Sequence, residues 1–127
     1  MGKATLVERD IGEGKRLLER LVGSGEKAPV ALWLYDSDSE SWRLVLAISQ
    51  VAKGAREGYY FIGAILKEMP QPFHLTLQDI KLVSPRDRLV KALLTDKRSA
   101  RALTDRILPA LKIGDAYLEG AYLYQVA

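Results

Sequence analysis

The apolar positions change their period along this chain, and each change marks an element. Val30 to Tyr35 and Trp42 to Ile48 are two runs rich in β-branched, aromatic and leucine residues, separated by the acidic, serine-rich DSDSES. Such a pair predicts a β-hairpin with a solvated connection. Alternation along the second run groups Trp42, Leu44, Leu46 and Ile48 on one face of a sheet, with Val45 on the other. Upstream, Ile11, Leu17, Leu18, Leu21 and Val22 gather on one side of a helix over Asp10 to Val22, with Gly14 completing the i, i+3, i+7 rhythm. Asp10 followed by Glu13 has the form of a capping box, and Gly23-Ser24-Gly25 stops the helix. Thr5 to Val7 fits either a short strand or an early helical turn.

Downstream of the hairpin, Ala52 to Gly58 contains glycines, after which Tyr59, Ile62, Ile65, Leu66 and Met69 keep helical spacing up to the stop at Pro70-Gln71-Pro72. Asp79 to Val83 alternates as a short strand. Ser84-Pro85-Arg86-Asp87 offers a capping hydroxyl, a proline at the first helical position and a following acid, so a helix should start there with Leu89, Val90, Leu93 and Leu94 as its buried stripe. The polar, basic stretch from Thr95 to Thr104 reads as a mobile loop or a frayed short helix. Ile107 to Ile113 and Ala116 to Tyr124 return to strand composition, with turns at Gly114-Asp115 and Glu119-Gly120. Pro109 belongs at an edge or a bulge, because it cannot donate to a ladder. The expected fold is one α+β domain over residues 1–127 in the order α-β-β-α-β-α-β-β. It has a mainly antiparallel sheet of about five strands, with about three helices packed on one face.

Composition narrows the chemistry. With 127 residues, 48% of them hydrophobic, the chain can bury a sizeable core without metals or cross-links. It has no cysteine, which excludes disulfides, thiolate-zinc sites and thiol nucleophiles. The charges in MGKATLVERD and the lack of a long apolar run predict neither a signal peptide nor a membrane span, so a cytoplasmic location is expected. MGKATL is not a myristoylation start, since Leu6 stands where Ser or Thr is needed. The formal charge of +3, with signs interspersed, is a mild basic bias that permits nucleic-acid contact without demanding it.

The runs ALWLYD, SWRLVLA, DIKLVSPRDRLVKAL and AYLY, spread over most of the chain, resemble a group of small bacterial α+β proteins to which no function is assigned. The resemblance implies one compact bacterial domain and supplies no catalytic residues to carry over.

Few residues carry candidate chemistry. Asp36, Asp38 and Glu40 have the spacing for a hard-cation site, but the EF-hand glycine and twelfth-position acid are replaced by Ser41 and Ala47, so a solvated hairpin tip is the expectation. His74 is the sole histidine, which rules out a multi-histidine metal site. With only Asp79 near it in sequence, it reads as an ordinary half-buried or exposed residue. Gly12-Glu13-Gly14 and Gly23-Ser24-Gly25 match neither dinucleotide nor phosphate-loop spacing, and Gly12 and Gly14 read instead as points of close approach between helix and sheet. No catalytic, cofactor or metal-binding residue is expected.

Trp33 and Trp42 are expected as a cross-strand core pair. The tyrosine-rich ending places Tyr117, Tyr122 and Tyr124 as candidates for a protein interface, with two-fold self-association through an exposed edge of the C-terminal strands. The basic concentration at Arg86, Arg88, Lys91, Lys97, Arg98, Arg101, Arg106 and Lys112 is diluted by Asp87, Asp96 and Asp105. If it binds nucleic acid, Lys97, Arg98 and Arg101 are the expected contacts. These leads order three functions: first a non-catalytic protein-interaction domain, next a nucleic-acid-binding accessory protein, and last a small carboxylate enzyme using residues such as Asp36 and Glu40.

Overall fold

The two apolar runs pair as their alternation requires. In the computed structural model, which describes residues 4–126, β1 (Val30–Asp36) and β2 (Ser41–Ala47) are antiparallel, with Val30 opposite Ala47 and Tyr35 opposite Trp42. The Met-Gly start weighed above lies outside these residues. At the hairpin tip the Asp36 Oδ1 accepts the Asp38 N–H at 3.0 Å, an Asx turn that uses the acid locally. Trp33 faces Leu44 across the ladder, not Trp42; the aromatic cross-strand pair is Tyr35 with Trp42, edge to face at 5.5 Å between centroids.

The main sheet has five strands in the order β3-β2-β1-β7-β4, where β3 is Ile80–Val83, β4 is Ile107–Leu108 and β7 is Ala121–Val126. Three of its four pairings are antiparallel and β2–β3 is parallel, so the sheet is mixed. The parallel pair follows from the connection: α2 (Ala55–Glu68) carries the chain back across the sheet between β2 and β3, as parallel neighbours require. Gly54, with φ of 126°, turns the chain into α2 ahead of the expected start.

The expectation of helices on one face is corrected. α1 (Glu8–Gly23) and α2 cover the face that carries Trp33, Leu44, Leu46 and Ile48. The opposite face, with Val30, Leu32, Val45 and Ala47, is covered by α3 (Arg88–Thr95), by α4 (Lys97–Arg101), and by a separate two-stranded sheet of β5 (Leu111–Ile113) and β6 (Ala116–Leu118). The physical reason lies in β1 and β2 themselves: Val30 to Trp33 and Leu44 to Ala47 are buried without interruption, and a sheet apolar on both faces must be covered on both.

Element starts shift for local reasons. α1 begins before the expected capping box, and Asp10 accepts the Val7 N–H at 3.2 Å from inside the first turn. Val22, placed in the stripe by periodicity, is 48% exposed near the helix end. Ser84-Pro85 makes a turn closed by the Asp87 N–H to Ser84 carbonyl bond at 2.9 Å, and Asp87 is the cap of α3, accepting from Leu89 N–H at 3.0 Å. Serine followed by proline suits a turn as well as a helix start, hence the misplacement. Pro109 interrupts the expected strand into β4 and β5, and Glu119-Gly120 separates β6 from β7.

Candidate ligand-binding groove

A concavity lies where α3 faces the β5–β6 hairpin, a groove of about 740 Å³ lined by Leu34, Leu89 and Leu118 among others. Its geometry follows from the local fold. Pro109 ends β4, so β5 and β6 leave the main sheet and form their own hairpin, closed at Gly114, where φ is 57°. The left-handed backbone there favours glycine, and the turn packs beside α3, where a Cβ would make ordinary contact at 3.6 Å with the Ala92 carbonyl oxygen. Arg86 on the preceding turn, together with Arg88 and Lys91 on α3, stands along one wall, and Tyr117 of β6 along the other. Asp115 is the one acid among the lining residues.

Tyr117 is 67% exposed. Lys112 is its direct partner across the β5–β6 ladder, so a further cation lies beside the ring on the same face. Among the described residues Arg86, Arg88 and Lys91 form no ion pair. The groove thus combines apolar lining residues, an exposed aromatic face and uncommitted positive charge.

The other expected site residues are placed elsewhere. Lys97 and Arg98 are exposed on α4, outside the groove lining. Arg101 turns back to the chain, its Nε donating to the Val126 carbonyl at 2.8 Å. Tyr122 and Tyr124 pack edge to face at 5.3 Å on the α1 side of the sheet. The Tyr124 hydroxyl accepts from Trp33 Nε1 at 2.8 Å and donates to the Ile11 carbonyl at 2.5 Å. Burial pushes its phenol above the ordinary range, outweighing the lowering effect of the Trp33 bond. Of the three tyrosines, Tyr117 alone borders the groove. β7 is not an exposed edge, since it runs between β1 and β4. At the hairpin tip the Asp36 to Glu40 acids converge on no ion site: among the described residues no three His, Cys, Asp or Glu side chains come together in a metal-holding group. No helix among the described residues is long and apolar enough to cross a membrane.

Sequence reasoning missed one pair altogether. Glu13, 5% exposed at its side chain, accepts from His74 N–H at 2.8 Å and Leu75 N–H at 3.1 Å, and its Oε2 lies 2.7 Å from His74 Nδ1. Burial alone would push this carboxyl up; the bonds from the His74 ring and from the two backbone N–H groups together outweigh it and hold the group below its ordinary value. The only signal in the sequence was a glutamate among the apolar positions of α1. Compared with known proteins, the chain matches no family model, no curated protein and no solved structure.

Proposed function

We propose that this chain is a non-catalytic binding domain whose groove between α3 and the β5–β6 hairpin takes a short stretch of single-stranded nucleic acid. The observation that carries the reading is Tyr117, exposed in a partly apolar groove whose opposite wall bears Arg86, Arg88 and Lys91. An exposed ring gives a base a face to stack on, and cations along one wall follow a phosphate backbone. Stacking and phosphate contacts carry little base identity, so binding is weakly sequence-selective.

Fluorescence anisotropy of a labelled oligonucleotide across a salt series tests this. Replacing Arg86, Arg88 and Lys91 together by Ala should flatten the slope of log affinity against log salt by about 2, at roughly 0.7 per phosphate contact on a single strand. Tyr117→Ala should weaken binding by about 1–3 kcal/mol and leave the slope unchanged. Lys97→Ala with Arg98→Ala, outside the groove, should do neither. An equal effect of the α4 pair and the groove cations, or no saturable binding by the unaltered chain at low salt, overturns the proposal. Light scattering in the same buffers decides the competing reading of a self-associating interface.

A further inference from the structure

On the other side of the sheet, remote from the groove, α1 carries a second constellation. Arg9, Gly12, Glu13 and Arg16 follow at i, i+3, i+4 and i+7, so one stripe of the helix presents all four residues to the loop at Pro72 and His74. Together these six residues line a shallow pocket of about 320 Å³.

The polar groups are held in place. A carboxylate only accepts hydrogen bonds, so His74 Nδ1 carries its proton toward Glu13, and Nε2 is the ring atom left for a ligand. Arg16 donates from Nη2 to the Pro70 carbonyl at 3.2 Å, and its guanidinium lies 5.3 Å from the centroid of the Phe73 ring. The carboxylate of Glu13 is committed to the His74 ring and two backbone N–H groups. Two guanidiniums against that one carboxylate leave the pocket a net positive charge.

Gly12 leaves one side of the pocket open. It lies inside α1, exposed, with no positive φ, and a Cβ built on it would meet nothing within 4 Å. A glycine inside a helix is less stable than alanine by about 0.5–1 kcal/mol, and no packing contact requires it here. The space it leaves open is part of the pocket.

We infer that this pocket binds a phosphate monoester, its anionic head between Arg9, Arg16 and His74 Nε2, with the esterified group over Gly12. Two guanidinium donors beside one ring acceptor suit a phosphate monoester, which offers several anionic oxygens to the arginines and, as its monoanion, one P–O–H to donate to Nε2, better than a carboxylate.

His74 is the single histidine, so its ring resonances in the full chain are assigned without ambiguity. Titration with phenyl phosphate should shift them saturably, inorganic phosphate should do so more weakly, and sodium chloride at matched ionic strength should not. Gly12→Leu should keep or raise the melting temperature, since its Cβ meets no protein atom and leucine favours the helix, yet weaken phenyl phosphate by about tenfold or more. Arg9→Ala, at an exposed position, should weaken it as well. Ring signals that stay still, that move equally with chloride, or that move equally in Gly12→Leu overturn the inference. The Arg86, Arg88 and Lys91 replacement should leave this titration unchanged, so the two sites fail or hold separately.

Discussion

Glu13 and Tyr124 are single residues that tie distant segments together, and each gives stability its own dependence on pH. The folded-state pKa of Glu13 lies below its ordinary 4.5. Its contribution is therefore fully present above the unfolded value and is lost as pH falls through the folded one. Glu13→Gln should cost about 1–3 kcal/mol at neutral pH and flatten the acid limb of melting temperature against pH. Tyr124 has the opposite sign. Its folded-state pKa is raised above 10.0, so its stability is complete below that pH and declines as pH rises toward the folded value. Tyr124→Phe should reduce the alkaline decline and, by leaving the Trp33 N–H without its acceptor, cost about 1–2 kcal/mol at neutral pH; thermal melts across the pH range measure both. Neither role was legible in the sequence. Glu13 meets partners 61 and 62 positions away, and Tyr124 meets Trp33 across 91, separations at which no local pattern operates.

At the scale of the element, two of the glycines of α1, Gly12 and Gly14, read alike in the sequence and are separated by the fold. Gly14 is a point of close approach: a Cβ there would collide with the Tyr124 hydroxyl and sit 3.1 Å from Trp33 Nε1. Gly12 faces open space. The same substitution should therefore act with opposite sign, Gly14→Ala lowering stability by about 1–3 kcal/mol and Gly12→Ala raising it by about 0.5–1 kcal/mol. Denaturant titration of the two variants checks the pair. Element type was largely legible here, because period and composition carry it. The β1–β2 hairpin falls within a residue of its expected ends, and the short helix at Lys97–Arg101 is one of the alternatives read from its stretch. Element starts were not, since Ser84-Pro85 fits two local geometries. The groove was half legible: Arg86, Arg88 and Lys91 belonged to the basic stretch and Tyr117 to the aromatic ending, but only the break at Pro109, which turns β5 and β6 off the sheet, sets them on facing walls.

For the whole molecule, the decisive feature is one sheet shared by two apolar layers. Leu17 and Leu93 are fully buried on opposite faces, and residues of β1 and β2 alternate between the two cores. Loss of either layer exposes the same strands, so unfolding should be a single transition. Leu93→Ala should cost about 2–5 kcal/mol. It should lower the unfolding midpoint equally by far-UV circular dichroism and by fluorescence of Trp33 and Trp42, which both pack in the other core. Separate midpoints would mean that the layers unfold independently. The α+β class was readable from the chain; the second layer was not, because an uninterrupted apolar run contains the same alternation that a one-sided sheet shows.

The place of β7 also bears on how the chain is made. Val30 and Val126, neighbours across the β1–β7 ladder, are synthesised 96 positions apart (126 − 30). At about 5–20 residues per second, the ribosome leaves that side of β1 without its partner for roughly 5–20 seconds. During that interval the β1–β2 hairpin presents a bare apolar edge, the kind of surface on which nascent strands pair wrongly. Translation speed between Asp36 and Ala121 therefore sets how long each new molecule must be kept from its neighbours.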